Sequence, residues 1–175
     1  MRKILVVVDM QNDFIDGALG TLEARSIVPK VVEKMGQYEP RNVYLTRDTH
    51  YENYLETLEG RNLPVTHCIQ GTHGWQLHDA IAAAAEDATV IDKPTFGSNR
   101  LAGLLMVERA QEGLEIELVG LCTDICVVSN ALLLRAAMPE VPITVDASCC
   151  AGVTPERHRA ALETMRSCQI RIVGA

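Results

Sequence analysis

The sequence has few aromatic residues, no long apolar run and no excess of basic residues. Aromatic side chains make up 4% of the 175 residues, with a single tryptophan. No apolar run is long enough to span a bilayer, which argues against a transmembrane helix. The formal net charge of −7 argues against a nucleic-acid or anionic-membrane surface, because such surfaces need a basic face. What remains is an ordinary globular composition with 47% hydrophobic residues.

The sequence also gives no clear sign of a cleavable leader or of a disulfide framework. An apolar run at residues 4–8 follows two basic residues, but Asp9 interrupts it and no small-residue cleavage site follows. We therefore predict a first strand there, and a cytoplasmic protein with one domain over residues 1–175. The six cysteines are expected to be reduced, with small apolar packing as the default role of most of them.

Strand-like and helix-like runs alternate along the chain. The predicted strands lie at residues 4–8, 42–46, 89–92, 115–119, 143–145 and 170–173. The predicted helices begin near Ser26, Trp75, Asn99, Thr123 and Thr154, and residues 47–73 are predicted to form a long functional loop. This alternation predicts a three-layer α-β-α protein with a parallel sheet, in which ligands bind beyond the carboxyl ends of the strands.

Three chemically reactive residues follow three of the predicted strands. Asp9 follows the first strand, Lys93 the third, and Cys126 lies one tight turn after the fourth. Because the strands are expected to be parallel, all three side chains should project toward one edge of the sheet. A thiol, a carboxylate and an ammonium group fit acyl transfer, with Cys126 as nucleophile, Asp9 as acid and base, and Lys93 as the orienting cation.

The turn before Cys126 carries the strongest single signal. Thr123 or Asp124 is expected to cap the helix that begins there, and the helix dipole would then favour a thiolate. The backbone amides of Cys122 and Cys126 are candidate donors to an oxyanion, since acyl transfer needs donors beside its nucleophile. The alternative is an inert, buried cysteine.

The long loop contains a second candidate site. Asp48 and His50 are two residues apart, so both side chains can face one side of an extended segment, and His67 follows later in the loop. One carboxylate and two imidazoles suit a divalent metal ion, most readily Zn²⁺, Fe²⁺ or Mn²⁺. Solvated loop side chains are the alternative, because polar loops often carry Asp and His.

The motifs around these residues carry a family resemblance. Asp9 opens the pattern D-x-Q-x-D-F, Lys93 begins Lys-Pro-Thr-Phe, and Cys126 lies in Thr-Asp-Ile-Cys-Val. The segment around His67 reads P-V-T-H-C-I-Q-G-T. Together they resemble the isochorismatase-like cysteine hydrolases, and among these the nicotinamidase branch. The resemblance covers essentially the whole chain.

This resemblance implies a fold, a reaction and an assembly. The fold is a six-stranded parallel sheet flanked by helices, with a cis peptide bond before Cys122 that turns its amide toward the oxyanion. The reaction is hydrolysis of nicotinamide to nicotinate and ammonia, through a thioester on Cys126 formed with the help of Asp9 and Lys93. Members of the family often form homo-oligomers, and the apolar helix after Cys126 is a candidate interface.

The resemblance also implies a metal and a substrate pocket. The divalent ion, with Zn²⁺ as the first expectation, would be held by Asp48, His50 and His67, and in nicotinamidases it binds the pyridine nitrogen and water. The residues expected to contact the substrate are Gln11, Phe14, Trp75 and Phe96. No organic cofactor is expected.

Departures from the nicotinamidase pattern leave other functions open. Leu63 replaces an aromatic residue before the proline of the metal segment, and Thr49 stands where tryptophan is common. An enzyme for another small amide, or for a ureido or carbamoyl compound, is the main alternative. A non-catalytic flavodoxin-like binding domain is the other, although no glycine-rich phosphate loop follows the first strand.

Overall fold

The computed structural model describes residues 1–175 and contains one six-stranded sheet. Its strands are β1 (Arg2–Val8), β2 (Val43–Asp48), β3 (Thr89–Lys93), β4 (Leu114–Leu121), β5 (Ile143–Ala151) and β6 (Arg171–Val173). Their order across the sheet is β3-β2-β1-β4-β5-β6, and every pairing is parallel. The predicted six-stranded parallel sheet is therefore confirmed.

Helices cover both faces of this sheet. They are α1 (Asn12–Ile15), α2 (Leu22–Met35), α3 (Leu58–Asn62), α4 (Asp79–Ala84), α5 (Asn99–Gln111), α6 (Val128–Ala137) and α7 (Pro155–Ser167). Short 3₁₀ segments occur at Pro40–Asn42 and Tyr54–Glu56, and a π-helical turn at Thr123–Val127 leads into α6. None of the helices combines the length and apolarity that crossing a membrane requires.

The central strand β1 shows why the sheet is buried on both sides. Ile4, Val6 and Val8 face a core that includes side chains of α5, α6 and α7. Leu5 and Val7 face a second core, to which α2 contributes. Alternate side chains of a strand point to opposite faces, so an uninterrupted apolar run is what a doubly covered parallel strand requires.

Several predicted element boundaries are wrong. The helix expected from Ser26 begins at Leu22, because the Thr21 Oγ1 accepts a hydrogen bond from the Ala24 amide at 3.0 Å. The helix expected from Trp75 is only α4, and the strand expected at residues 143–145 runs on through β5. The loop expected at residues 47–73 contains α3 and a 3₁₀ turn.

Candidate active site and metal centre

The nucleophile turn follows Gly120 of β4, which packs closely against Val8 of β1. Gly120 has φ of +114°, and a Cβ atom there would lie 2.2 Å from the carbonyl oxygen of Val8, so only glycine fits. One residue further on, the peptide bond Leu121–Cys122 is cis, as the resemblance implies. Cys122, rather than the expected Thr123 or Asp124, is the residue that precedes the helical turn, and its side chain makes no capping hydrogen bond.

The structure brings Cys126, Lys93 and Asp9 together at the carboxyl edge of the sheet. The Lys93 Nζ donates to the Cys126 Sγ at 3.4 Å and lies 2.7 Å from the Asp9 Oδ2. Asp9 has φ of +47°, an uncommon backbone conformation outside glycine, of a kind that concentrates at functional sites. Its Oδ1 accepts a hydrogen bond from the Thr46 hydroxyl at 2.6 Å, which fixes the carboxylate opposite the lysine.

The electrostatics of this cluster correct the expected thiolate. Burial raises the pKa of the Cys126 thiol well above its usual value, the charge of Asp9 raises it further, and Lys93 only partly opposes them. Burial also raises the pKa of the Asp9 carboxyl, against the lowering effect of Lys93. Cys126 lies inside the π-helical turn Thr123–Val127, which continues into α6. The raised pKa favours a protonated resting thiol, whose activation requires a base.

A second cluster lies beside the first and contains four possible metal ligands. Ligand atoms of Asp48, His50, Glu59 and His67 all lie within 4.8 Å of one another. The Asp48 Oδ2 is 3.0 Å from the His50 Nε2 and 3.6 Å from the His67 Nε2, and the His50 Nε2 is 3.5 Å from the Glu59 Oε1. Such spacings suit ligands around one ion better than a set of paired hydrogen bonds.

The chemistry of these donors fits a divalent cation. The buried His50 Nε2 and Asp48 Oδ1 have no hydrogen-bond partner, so each has a lone pair to offer. The His67 Nδ1 bonds the Val65 carbonyl at 2.7 Å, which leaves its Nε2 facing the cluster. Burial disfavours a charged His50 ring, yet the carboxylates of Asp48 and Glu59 outweigh burial and raise its pKa to about 9. A positive charge is therefore favoured at this point, and a metal ion bound through the Nε2 lone pair would take the place of the ring proton.

Two residues predicted to contact substrate instead hold this cluster in place. The Gln11 Oε1 accepts from the Asp48 amide at 2.7 Å, and its Nε2 donates to the Asp48 and Trp75 carbonyls at 2.9 and 2.8 Å. The Trp75 Nε1 donates to the Thr49 Oγ1 at 2.9 Å, and its ring lies 3.8 Å from the Arg47 guanidinium carbon. Neither Gln11 nor Trp75 lines the cavity described next, so their contact with substrate stays a prediction without support from this cavity.

Both clusters open into one cavity of about 570 Å³. Cys126, Cys122, Asp48, Glu59 and His67 contribute to its polar side. The walls are largely apolar and include two of the predicted substrate residues, Phe14 and Phe96. Such a mostly apolar cavity with a few convergent polar groups is typical of a small-molecule site.

The comparison with known families decides the identity of this fold. The profile of the Isochorismatase domain matches residues 3–175 of the chain. The chain belongs to the isochorismatase family. A relative named nicotinamidase/pyrazinamidase, from Mycobacterium tuberculosis, is 28% identical over 98% of both chains.

Solved structures of the isochorismatase-family relatives superpose over the whole chain. The pyrazinamidase of Pyrococcus horikoshii in complex with zinc gives a TM-score of 0.81 at 29% identity, over 100% of both chains. An N-carbamoylsarcosine amidase from Thermoplasma acidophilum gives a TM-score of 0.80 at 27% identity, over 99% of this chain and 96% of that one. The prediction of an amide-hydrolysing enzyme of the nicotinamidase branch is confirmed at this general level.

Sequence reasoning missed two residues of this isochorismatase-family site. Glu59 reaches the metal cluster from α3, a helix that was not predicted. Thr46 lies in β2 and bonds Asp9, a contact between two strands far apart in sequence. An acidic residue between His50 and His67 was the only available signal for Glu59, and no signal marked Thr46.

Proposed function

We propose that this isochorismatase-family chain is a cysteine amidohydrolase that converts nicotinamide and water to nicotinate and ammonia. The observation that carries the proposal is the contact of the Cys126 thiol with Lys93, itself paired with Asp9, at the floor of an apolar cavity. A nucleophile, a base and an orienting cation are what covalent amide hydrolysis needs.

The first half of the reaction forms a thioester. Asp9 takes the proton of the Cys126 thiol, and the sulfur attacks the amide carbon of the substrate. The backbone amides of Cys122 and Cys126 are proposed to hold the oxygen anion of the tetrahedral intermediate. Asp9 then gives its proton to the amide nitrogen, and ammonia leaves as the C–N bond breaks.

The second half releases the acid. Asp9, again a carboxylate, takes a proton from water, whose oxygen attacks the thioester carbon, and the C–S bond breaks. The thiol is restored on Cys126 when the proton returns to sulfur. Lys93 keeps its charge through the cycle, since the neighbouring carboxylates and thiol raise its pKa although burial opposes them. Its role is to orient Asp9 and stabilise negative charge at sulfur.

Asp48, His50, Glu59 and His67 are proposed to hold a divalent ion, with Zn²⁺ as the first candidate and Fe²⁺ or Mn²⁺ as alternatives. The ion would supply a Lewis acid that binds a ring nitrogen or water beside the cavity. Within the chain, the Lys93 Nζ lies 3.5 Å from the Asp48 Oδ1, so one lysine contacts both clusters. Asp48 therefore connects the acid–base pair to the proposed metal centre.

A second candidate substrate class is favoured by the shape of the walls. Leu63 lines the cavity where the nicotinamidase pattern has an aromatic residue, and Phe14 and Phe96 are the only aromatic carbon rings in the lining. A cavity of about 570 Å³ also exceeds what one pyridine ring and its carboxamide fill. Other small amides, and ureido or carbamoyl compounds, are the second candidates.

The deciding experiment measures ammonia release from nicotinamide by purified protein, before and after chelation and after return of Zn²⁺. We expect turnover that chelation abolishes and zinc restores, and that the Cys126→Ala variant lacks. The Cys149→Ala variant is the control, because this buried cysteine lies outside the cavity. Full activity of Cys126→Ala on every amide tried would overturn the proposed chemistry. Inactivity toward nicotinamide alone would direct the search to the second class.

The proposed homo-oligomer has its own test. The helix α6 that follows the nucleophile turn carries the partly buried side chains Leu132 and Leu133. Light scattering of the purified chain measures its mass in solution. A monomeric mass would remove the proposal.

A further inference from the structure

The cavity contains one basic side chain that the proposed reaction does not use. Arg157 is the only arginine or lysine in its lining. The other charged residues of the lining are Asp48 and Glu59, both assigned to the proposed metal centre. The Arg157 guanidinium makes neither an ion pair nor a hydrogen bond with the rest of the chain. It is therefore free to bind an anion that enters the cavity.

The sequence of α7 explains why Arg157 is unpaired. Arg159 pairs with Glu156 at 3.3 Å, three residues earlier on the helix, and Arg166 pairs with Glu163 in the same way at 3.4 Å. The residue three positions before Arg157 is Thr154, which caps the helix. The residues three and four positions after it are alanines. No neighbour on its own helix supplies a carboxylate.

The first turn of α7 is fixed against the nucleophile turn, so Arg157 and Cys126 keep a defined relation. The Asp124 Oδ1 accepts a hydrogen bond from the Val153 amide at 2.9 Å. The His158 Nδ1 lies 2.8 Å from the Thr123 Oγ1. Both contacts join residues beside Arg157 to residues beside Cys126. The helix turn that carries the exposed Arg157 side chain is therefore fixed relative to the nucleophile turn.

The lining that Cys126 and Arg157 share also contains apolar side chains. Ile125 and Val153 line it next to the nucleophile turn and next to α7, and Phe96 lines it near Lys93. Val153 is 39% and Phe96 44% exposed, although both are large apolar side chains, so part of their surface is available to a ligand. A substrate that contacts both Cys126 and Arg157 could place a short hydrocarbon segment against these apolar side chains.

We propose that Arg157 selects substrates that carry a carboxylate at the end opposite the amide, with a short apolar segment between the two groups. The amide would meet Cys126, and the carboxylate would accept hydrogen bonds from the guanidinium. This inference deepens the proposed amidohydrolase function and rests on it. It assigns Arg157 as a specificity-determining residue, and it names half-amides of short dicarboxylic acids as a substrate class.

The test compares acidic and neutral amides of matched length. Succinamate and glutaramate are paired with butanamide and pentanamide, and kcat/KM is measured for each. In the unaltered enzyme we expect the acid to be preferred by about tenfold, the worth of a partly exposed charged hydrogen bond. Arg157→Met should bring the ratio of acid to neutral amide close to one, and Arg157→Lys should keep part of it. Arg159→Met, on the same helix but outside the cavity lining, is the matched control.

The outcomes separate this inference from the proposed chemistry. Equal kcat/KM for acidic and neutral amides in the unaltered enzyme would overturn the role of Arg157 while leaving the amidase intact. An equal loss in Arg157→Met and Arg159→Met would also overturn it, because a general field of positive charge would then suffice. If no amide is hydrolysed, binding of glutaramate to the Cys126→Ala variant decides, measured by calorimetry with and without Arg157→Met. Weaker glutaramate binding after Arg157→Met supports the inference, and unchanged binding overturns the inference.

Discussion

Two lysines of this protein each contact two carboxylates, yet the two clusters differ in kind. Lys93 lies 2.7 Å from Asp9 and 3.5 Å from Asp48, at the carboxyl edge of the sheet. Lys34, on α2, lies 2.8 Å from Asp146 and 3.0 Å from Glu117. By charge and distance the two arrangements are nearly the same.

They differ in which atoms have partners. In the Lys34 cluster, the second oxygen of Asp146 accepts hydrogen bonds from Ser148, and that of Glu117 accepts one from the Tyr38 hydroxyl. In the Lys93 cluster, the Asp48 Oδ1 has no hydrogen-bond partner and the Asp9 Oδ2 has only the ion pair. Unpartnered buried polar atoms cost free energy, so they persist where something else uses them. We expect the saturated cluster to stabilise the fold, whereas the unsaturated one reaches the cavity through Asp48.

The largest expected difference between the two clusters is in catalytic activity after each lysine is removed. Lys93→Met should lower kcat by about 10³-fold, because Asp9 loses its orienting partner and the thiol its neighbouring cation. Lys34→Met should leave kcat within roughly twofold, since no residue of its cluster lines the cavity. Steady-state ammonia release by both variants measures the difference. A comparable loss in the two variants would mean that the clusters do not differ in function.

The second prediction concerns the affinity of the proposed metal centre, to which Asp48 of the unsaturated cluster belongs. Glu59→Gln should weaken Zn²⁺ binding by roughly 10–100-fold, because one anionic ligand becomes a neutral amide. Glu56→Gln is the matched control, an exposed acidic residue of the same segment. Competition with a chromophoric chelator measures the affinity directly and without any turnover. Unchanged affinity in Glu59→Gln would remove Glu59 from the proposed ligand set.

Disruption of the saturated cluster should lower the free energy of unfolding. Lys34→Met leaves two carboxylates facing each other with the cation gone, at a site where the side chains are between 9% and 16% exposed. We expect the free energy of unfolding to fall by about 2 kcal/mol, less than for a fully buried pair. Urea denaturation measures it, and Lys30→Met, an exposed lysine one turn earlier, is the control. A loss below that of the control would show that the cluster contributes nothing.

The smallest expected effect is the pH dependence of the stability that Lys34→Met removes. The Asp146 carboxyl is partly buried, yet its bonds to Lys34 and Ser148 lower its pKa below the usual value. A lowered pKa contributes stability that is present above the unfolded pKa, near pH 4, and is lost as pH falls through the folded value. The stability difference between the unaltered protein and Lys34→Met should therefore narrow below about pH 4. A difference that is constant from pH 7 to pH 3 would contradict this assignment.

The sequence predicted the residues whose place follows from the order of strands. Asp9, Lys93 and Cys126 each follow a strand, and parallel strands end at one edge of the sheet, so the alternation of strands and helices was enough to predict that they meet. Asp48 and His50 were found in the same way, since their spacing is that of one side of an extended segment. Local patterns of this kind depend on neighbours in the chain, which a sequence displays.

Only the tertiary structure determined the position and the ionisation of residues that depend on contacts distant in sequence. Gln11 and Trp75 were expected in the pocket, but the Gln11 side chain bonds the Asp48 and Trp75 carbonyls, and the Trp75 Nε1 donates to the Thr49 hydroxyl. The raised pKa of the Cys126 thiol was also decided there, because burial and the charge of Asp9 outweigh the lowering effect of Lys93. The sequence by itself thus determined the fold and which reactive groups meet. Packing determined which of them face the cavity and in what ionisation state, because desolvation and hydrogen bonding depend on every group nearby and not on sequence order.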